Sequence, residues 1–184
     1  MANVYHEFIM TSNFILRNAT IQDAEAILTI YEPYILNTSI TFEYSVPTLD
    51  HFRQSIQTIL KTYPFFVCEL NNKVIGYSYA HQFRERAAYA WDVETSVYVT
   101  ELYQNQGVAS LLYAQLLEQC ASRGYHNAYA GITLPNEKSV LFHQKMGFTR
   151  VGIFRNAGFK QGKWYSVLFM EKNLIPCDRE PMKI

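Results

Sequence analysis

The stretch from Glu94 to Leu117, ETSVYVTELYQNQGVASLLYAQLL, most constrains what this chain can fold into. Thr95 to Val99 is short, β-branched and apolar, which predicts a buried strand. A polar turn follows from Gln104 to Ala109. Val108, Leu111, Leu112, Ala114, Gln115 and Leu116 then recur at helical spacing, and Gly124 can close that helix in a left-handed cap. A strand that feeds a Gln-x-x-Gly-x-Ala turn and opens a helix leaves several backbone N–H groups unpaired and pointing one way. Such a turn is an anion site suited to a pyrophosphate, and the small residues Gly107 and Ala109 let phosphates approach the backbone. The same turn also describes a tight strand-to-helix connection. It lacks the three glycines of the dinucleotide fingerprint.

The 184 residues suit one domain with a sizeable core. Half the residues are hydrophobic, with 14 Tyr and 12 Phe, so the chain reads as globular rather than disordered. Sixteen basic residues balance sixteen acidic ones without a basic run, which argues against nucleic acid as a partner. Cys68, Cys120 and Cys177 are isolated, and His6, His51, His81 and His126 show no mutual metal spacing, so no metal is expected. No signal-peptide pattern or membrane-length apolar run is visible. With the unpaired cysteines, this fits a reducing cytoplasm and no membrane partner.

In chain order, residues 1–12 read as a leader, 13–173 as a single α/β domain and 174–184 as a tail. Asn13 to Arg17 begins a strand. Thr20, with Asp23 three positions on, can cap a helix whose apolar face is Ala24, Ile27, Leu28 and Tyr31. A second helix is predicted from Leu49 to Lys61, burying Phe52, Ile56, Ile59 and Leu60. Phe65–Leu70 and Val74–Tyr79 form a hairpin about Asn71-Asn72. Ala88 to Val99 is the strand leading into the glycine turn, and Asn127 to Ile132 is the next strand. Pro135-Asn136 opens a short helix with Val140, Leu141 and Met146 inward, closed by Gly147. Phe148–Phe154 and Trp164–Glu171 are the last strands, joined by a long Gly-containing loop. This order predicts one mixed central sheet with helices on both faces.

Two motifs in this order carry a family likeness. The Gln104–Ala109 turn resembles the acetyl-CoA pyrophosphate loop of the GNAT N-acetyltransferase superfamily. Asn136-Glu-Lys-Ser139-Val-Leu-Phe142-His143-Gln-Lys-Met-Gly147-Phe148 resembles its second motif, in which Asn-x-x-Ser starts a helix ending in Gly-Phe. Four further segments look like the phosphinothricin N-acetyltransferase family, which also acetylates methionine sulfone and sulfoximine. They are Ser39–Glu43, Arg86–Trp91, Glu94–Val99 and Gly158–Trp164. The family usually has Asp two positions after that Trp, where this chain has Ser166. The resemblance implies the GNAT fold, acetyl-CoA as cosubstrate, a small-molecule amine substrate and a homodimer.

The site residues follow from chemistry and resemblance together. An α-amine must lose a proton before it attacks a thioester. Glu94 falls on the polar parity of its strand with Asp92, Ser96 and Tyr98, and the resemblance makes it the base, directly or through a water. His143 stands where this family places a His, and can protonate the leaving thiolate or relay a proton with Glu94. The resemblance sets acetyl-CoA on Val97, Tyr98, Val99, Gln104, Gln106, Gly107, Val108, Ala109, Ser110, Asn136, Ser139 and Phe142. Substrate oxygens fall to Arg86 and Tyr89, with Phe42 as a pocket wall and Arg84 adding charge. Two readings remain beside this one: an acetyltransferase for another small amine or a protein N-terminus, and an acetyl-CoA-binding domain without turnover.

Overall fold

The computed structural model describes residues 14–178, 180 and 181. The predicted leader, residues 1–12, lies outside them. Among the described residues seven strands form a single sheet in the order β1-β2-β3-β4-β5-β7-β6. They are β1 (Ile15–Asn18), β2 (Phe65–Leu70), β3 (Lys73–Gln82), β4 (Asp92–Val99), β5 (Asn127–Leu134), β6 (Thr149–Lys160) and β7 (Lys163–Asn173). Neighbours are antiparallel except β4 and β5, which run parallel. The β2–β3 hairpin turns at Asn71 and Asn72, both left-handed (φ 51° and 60°), a conformation that asparagine tolerates.

Alternation along the strands sends two sets of side chains to opposite faces. Tyr77, Tyr79 and His81 of β3 stand opposite Tyr98, Ser96 and Glu94 of β4. On this face lie α1 (Ala24–Asn37) and α2 (Leu49–Leu60), whose Ile27, Ile30 and Ile56 pack with Phe65, Val67 and Tyr77. On the other face α3 (Val108–Ser122) packs against β2, β3 and β4, and α4 (Glu137–Lys145) against β5. Here α3 presses close to the sheet: a Cβ at Gly76 would sit 3.1 Å from Leu112 Cδ1, and Ser78 Oγ donates to the Leu112 carbonyl at 3.1 Å. Leu112 and Leu116 are fully buried there. Each stabilises the fold by about 2 kcal/mol on leaving water.

Several predicted boundaries shift. β4 begins at Asp92 rather than Ala88, because Ala87–Tyr89 winds into a short 3-10 turn, with Tyr89 N–H bonded to the Arg86 carbonyl. The buried face of α3 is Val108, Leu112, Tyr113, Leu116, Leu117 and Cys120, whereas Ala114 is exposed. On α4, His143 is buried with Val140, and Leu141 points outward. β6 and β7 are joined by a tight Gln161-Gly162 turn, both residues at positive φ, and not by a long loop. The apparent loop is an irregularity within β6. Phe154 pairs with Val167 and Gly158 with Tyr165, so four steps on β6 face two on β7. Ser166 has its role here, its hydroxyl accepting from the Asn156 N–H at 3.2 Å.

Candidate active site

The site begins where two parallel strands separate. β4 and β5 pair only from Asp92–Glu94 to Asn127–Tyr129. Beyond that point β4 stays paired with β3 as far as Val99, and β5 with β7 as far as Leu134. The gap between them opens into a cleft of about 800 Å³. Its walls come from Val97 and Val99 of β4, Ala130 and Gly131 of β5, and the facing ends of α3 and α4. Polar groups along the gap are met from the side: Tyr34 donates to the Val99 carbonyl at 2.6 Å and accepts from Gln104 Nε2 at 3.1 Å.

At one end of the cleft lies the start of α3. Gly107 adopts φ +87°, and the first helical bond runs from Leu111 N–H to the Gly107 carbonyl at 3.0 Å. The N–H groups of Val108, Ala109 and Ser110 precede that bond and have no partner within the helix. A Cβ built on Gly107 would meet nothing within 4 Å, so a bare, positively polarised helix end faces open space. This cradle fits a pyrophosphate. Gly107, Ala109, Ser110 and Gln104 line it, and Gln106 and Val108 can offer it only their backbone N–H groups, their side chains being engaged elsewhere. Gln106 Nε2 donates to the Leu102 carbonyl at 2.9 Å, and the Val108 side chain is buried in the core. Across the cleft, Asn136 caps α4 by accepting from Ser139 N–H at 3.2 Å, with Ser139 and Phe142 beside it.

Glu94 belongs to the opposite face of the sheet. Its Oε1 lies over Gly131, only 3.2 Å from where a Cβ would stand, so the carboxylate sits at the mouth of the gap because β5 carries no side chain there. His81 is directly across the strand pair, and the Tyr79 ring lies tilted beside it, 5.7 Å away. Phe83 stacks on Tyr129 at 4.1 Å, Tyr89 meets Phe83 edge-on, and Arg84 lies 4.9 Å over the Phe83 ring. Arg84, Arg86 and Tyr89 are exposed and do not line the cleft itself; Arg84 and Tyr89 lie by Phe83, and Arg86 precedes the short 3-10 turn that carries Tyr89. Phe42 lies against the β6–β7 hairpin, filling the space above Gly158. Lys160 Nζ fastens that hairpin by donating to the Ile35 and Thr41 carbonyls, each at 2.7 Å.

His143 is on the α3–α4 side, so no hydrogen bond joins it to Glu94 and a direct relay between them is not formed. Instead its Nδ1 meets the Ser139 carbonyl at 2.8 Å and Ser139 Oγ at 3.3 Å, and its Nε2 meets the Tyr113 hydroxyl at 3.1 Å. Tyr113 in turn lies 2.6 Å from Thr95 Oγ1, which donates to the Tyr129 carbonyl at 3.0 Å. Burial draws the His143 pKa below the ordinary imidazole value, and the Ser139 carbonyl opposes that. Burial lifts the Tyr113 hydroxyl well above its usual range, with the Thr95 hydrogen bond pulling the other way. Thr95, Tyr113 and Gly131 escape a reading by motif. Thr95 and Tyr113 look like core residues, and their only sequence signal is a polar atom on an inward-facing position.

Residues 16–169 match the acetyltransferase (GNAT) domain family. The chain belongs to the GNAT acetyltransferases. Phosphinothricin N-acetyltransferase of Streptomyces viridochromogenes is 33% identical over 91% of this chain and 92% of its own length. The L-methionine sulfoximine/L-methionine sulfone acetyltransferase of Salmonella typhimurium is 31% identical over 86% and 94%. Among solved structures, a Sinorhizobium meliloti GNAT superfamily phosphinothricin acetyltransferase in complex with acetyl-CoA superposes with a TM-score of 0.89. It is 31% identical, covering 92% of this chain and 94% of that one. As a GNAT N-acetyltransferase the chain uses acetyl-CoA as acetyl donor. Among the described residues no group of three His, Cys, Asp or Glu is placed to hold a metal, and no helix is long and apolar enough to cross a membrane.

Proposed function

We propose that this GNAT enzyme acetylates the α-amine of a small glutamate-like amino acid, of the phosphinothricin or methionine sulfone type, in the cytoplasm and as a twofold homodimer. The observation that carries the reading is the Glu94 carboxylate over Gly131, where the sheet gap opens between the two faces. The amine approaches from the α1–α2 face and the thioester from the α3–α4 face, and they meet through the gap. Glu94 takes the ammonium proton, directly or through a water. Backbone N–H groups of β4 around Val97, freed from pairing with β5, hold the oxygen of the tetrahedral intermediate. His143 supplies the proton for the departing thiolate, through the Ser139 hydroxyl that borders both its Nδ1 and the cleft. Arg86 and Tyr89 bind the phosphinate, sulfonyl or carboxylate oxygens. Phe42 walls the pocket.

Glu94→Gln tests the assignment, since it keeps size and hydrogen bonding but removes the base. At neutral pH kcat should fall ~10²–10⁴-fold, with acetyl-CoA affinity unchanged. The deficit should shrink at alkaline pH, where the amine is already free. Turnover equal to wild type at neutral pH would remove Glu94 from the mechanism. A thiol-release assay across phosphinothricin, methionine sulfone, other small amines and peptide N-termini tests the substrate class. Activity confined to the last two groups would overturn it.

A further inference from the structure

The contacts of His143 form a buried chain with an acceptor at each end. It runs from the Ser139 carbonyl to Nδ1, from Nε2 to the Tyr113 hydroxyl, from that hydroxyl to Thr95 Oγ1, and from Thr95 to the Tyr129 carbonyl. Both terminal carbonyls can only accept. Each of the four contacts therefore needs one proton between its heavy atoms. The Thr95 hydroxyl, the Tyr113 hydroxyl and a neutral imidazole supply three. An imidazolium supplies the fourth. With neutral His143, one close pair of lone pairs faces itself, whichever way the hydroxyls turn. Moving the imidazole proton to Nε2 and letting Ser139 Oγ donate to Nδ1 only shifts the empty contact to the 2.8 Å approach of the Ser139 carbonyl.

We propose that Thr95 and Tyr113 are positioning residues of acetyl transfer: their hydroxyls point along the chain so that the buried His143 is held as its proton-carrying form. This deepens the reading of His143 as proton donor and rests on it for its part in catalysis. Thr95, Tyr113 and His143 are all buried, and although Thr95 and His143 border the cleft, contacts of 2.8, 3.1, 2.6 and 3.0 Å leave no room for a water between their heavy atoms. Burial favours the neutral ring, and the hydrogen bond to the Ser139 carbonyl opposes it. The ionisable groups facing this chain are few. Glu94 on β4 and Cys120 on α3 act on Tyr113 from either side, and Lys138 and Lys145 lie exposed on α4 at the cleft edge. The rings of Phe142 and Phe148 enclose the imidazole edge-on.

Thr95→Val separates this from simple packing. It keeps the shape but removes the donor to Tyr129 and the acceptor for Tyr113. The Tyr113 hydroxyl is then free to donate to Nε2, which suits the neutral ring. Tyr113→Phe removes the acceptor for Nε2–H and acts in the same direction. In ¹⁵N-histidine-labelled protein without acetyl-CoA, with His143→Gln for assignment, each variant should lower the His143 titration midpoint by about one pH unit. Thr95→Ser should restore it. An unmoved or raised midpoint in the folded Thr95→Val protein would overturn the proposal. So would a wild-type ring that is neutral and Nδ1-protonated throughout, with Tyr113 donating to Nε2. The alkaline limb of kcat tests the underlying reading separately: it should move with the midpoint, and a fixed limb beside a moved midpoint removes His143 as donor while leaving the chain in place.

Discussion

Gly131 and Gly107 are bare for different reasons, and the two reasons predict different failures. At Gly131 the constraint is a neighbour: an added methyl would stand 3.2 Å from Glu94 Oε1 and 3.6 Å from Val167. Gly131→Ala should therefore push the carboxylate aside and lower kcat by roughly tenfold or more, since misplacing a catalytic group by a fraction of an ångström is costly. Acetyl-CoA affinity should stay within about twofold, because the cradle on α3 is untouched. At Gly107 the constraints are the backbone, at φ +87°, and the space in front of it. Gly107→Val should cost about 1–2 kcal/mol of stability for the left-handed conformation. It should leave the fold intact and raise the acetyl-CoA Kd at least ~10-fold by filling the cradle. Calorimetry and thermal melting read the two effects apart. Unchanged acetyl-CoA affinity in folded Gly107→Val would refute the cradle assignment.

Elements are held in place by a few charged contacts whose pH dependence can be signed. Arg17 on β1 binds Asp23 through two nitrogens, at 2.6 and 2.8 Å, and also reaches Glu69 on β2. Asp23 further accepts from the Thr20 N–H at 2.7 Å, closing the capping box at the start of the first helical turn. The Arg17 hydrogen bonds hold the Asp23 carboxyl below its ordinary pKa, against the cost of burial. A depressed carboxyl stabilises the fold above the unfolded value, about pH 4, and loses that contribution as pH falls through the folded one. Asp23→Asn keeps an acceptor for the Thr20 N–H but removes the charge opposite Arg17, and should thus lower Tm at pH 7 by the equivalent of about 1–2 kcal/mol. The gap to wild type should narrow below about pH 4, and a constant gap would sink the account. Much of this was legible in the sequence: Thr20 with Asp23 marked the cap, Asn71-Asn72 the hairpin, and Gly107 the turn into α3. What was not legible depends on long-range register. The Phe154–Gly158 irregularity reads as a loop because local sequence carries no record of Val167 and Tyr165 across from it. Likewise, alternation placed Glu94 correctly on its strand, but only the sheet shows His143 on the other face.

At the scale of the whole molecule, the sheet ends unequally. Its β1 edge is four residues long, whereas β6 at the other edge runs for twelve and is exposed along nearly all of them. Val151, Ile153, Phe154 and Phe159 are about half exposed on that strand, and Trp164 on β7 is 63% exposed, while Tyr165 beside it is half-buried. A long, apolar edge with no partner strand among the described residues invites association, and a twofold axis lets one such surface cover its own copy. The same hairpin reaches the acceptor side of the site, since Gly158 abuts Phe42, Tyr44 donates to the Phe159 carbonyl, and Lys160 holds the Thr41 carbonyl. Dimer contacts should therefore steady the acceptor pocket and leave the acetyl-CoA cradle on α3 alone. Sedimentation of the wild type at micromolar concentration should show a dimer, and Ile153→Glu combined with Val151→Lys a monomer. The monomer should have an acceptor KM raised by about tenfold, corresponding to roughly 1.4 kcal/mol, with acetyl-CoA Kd unchanged. A wild type that sediments only as a monomer would refute the dimer. A dimer broken without change in acceptor KM would keep the interface but detach it from the site.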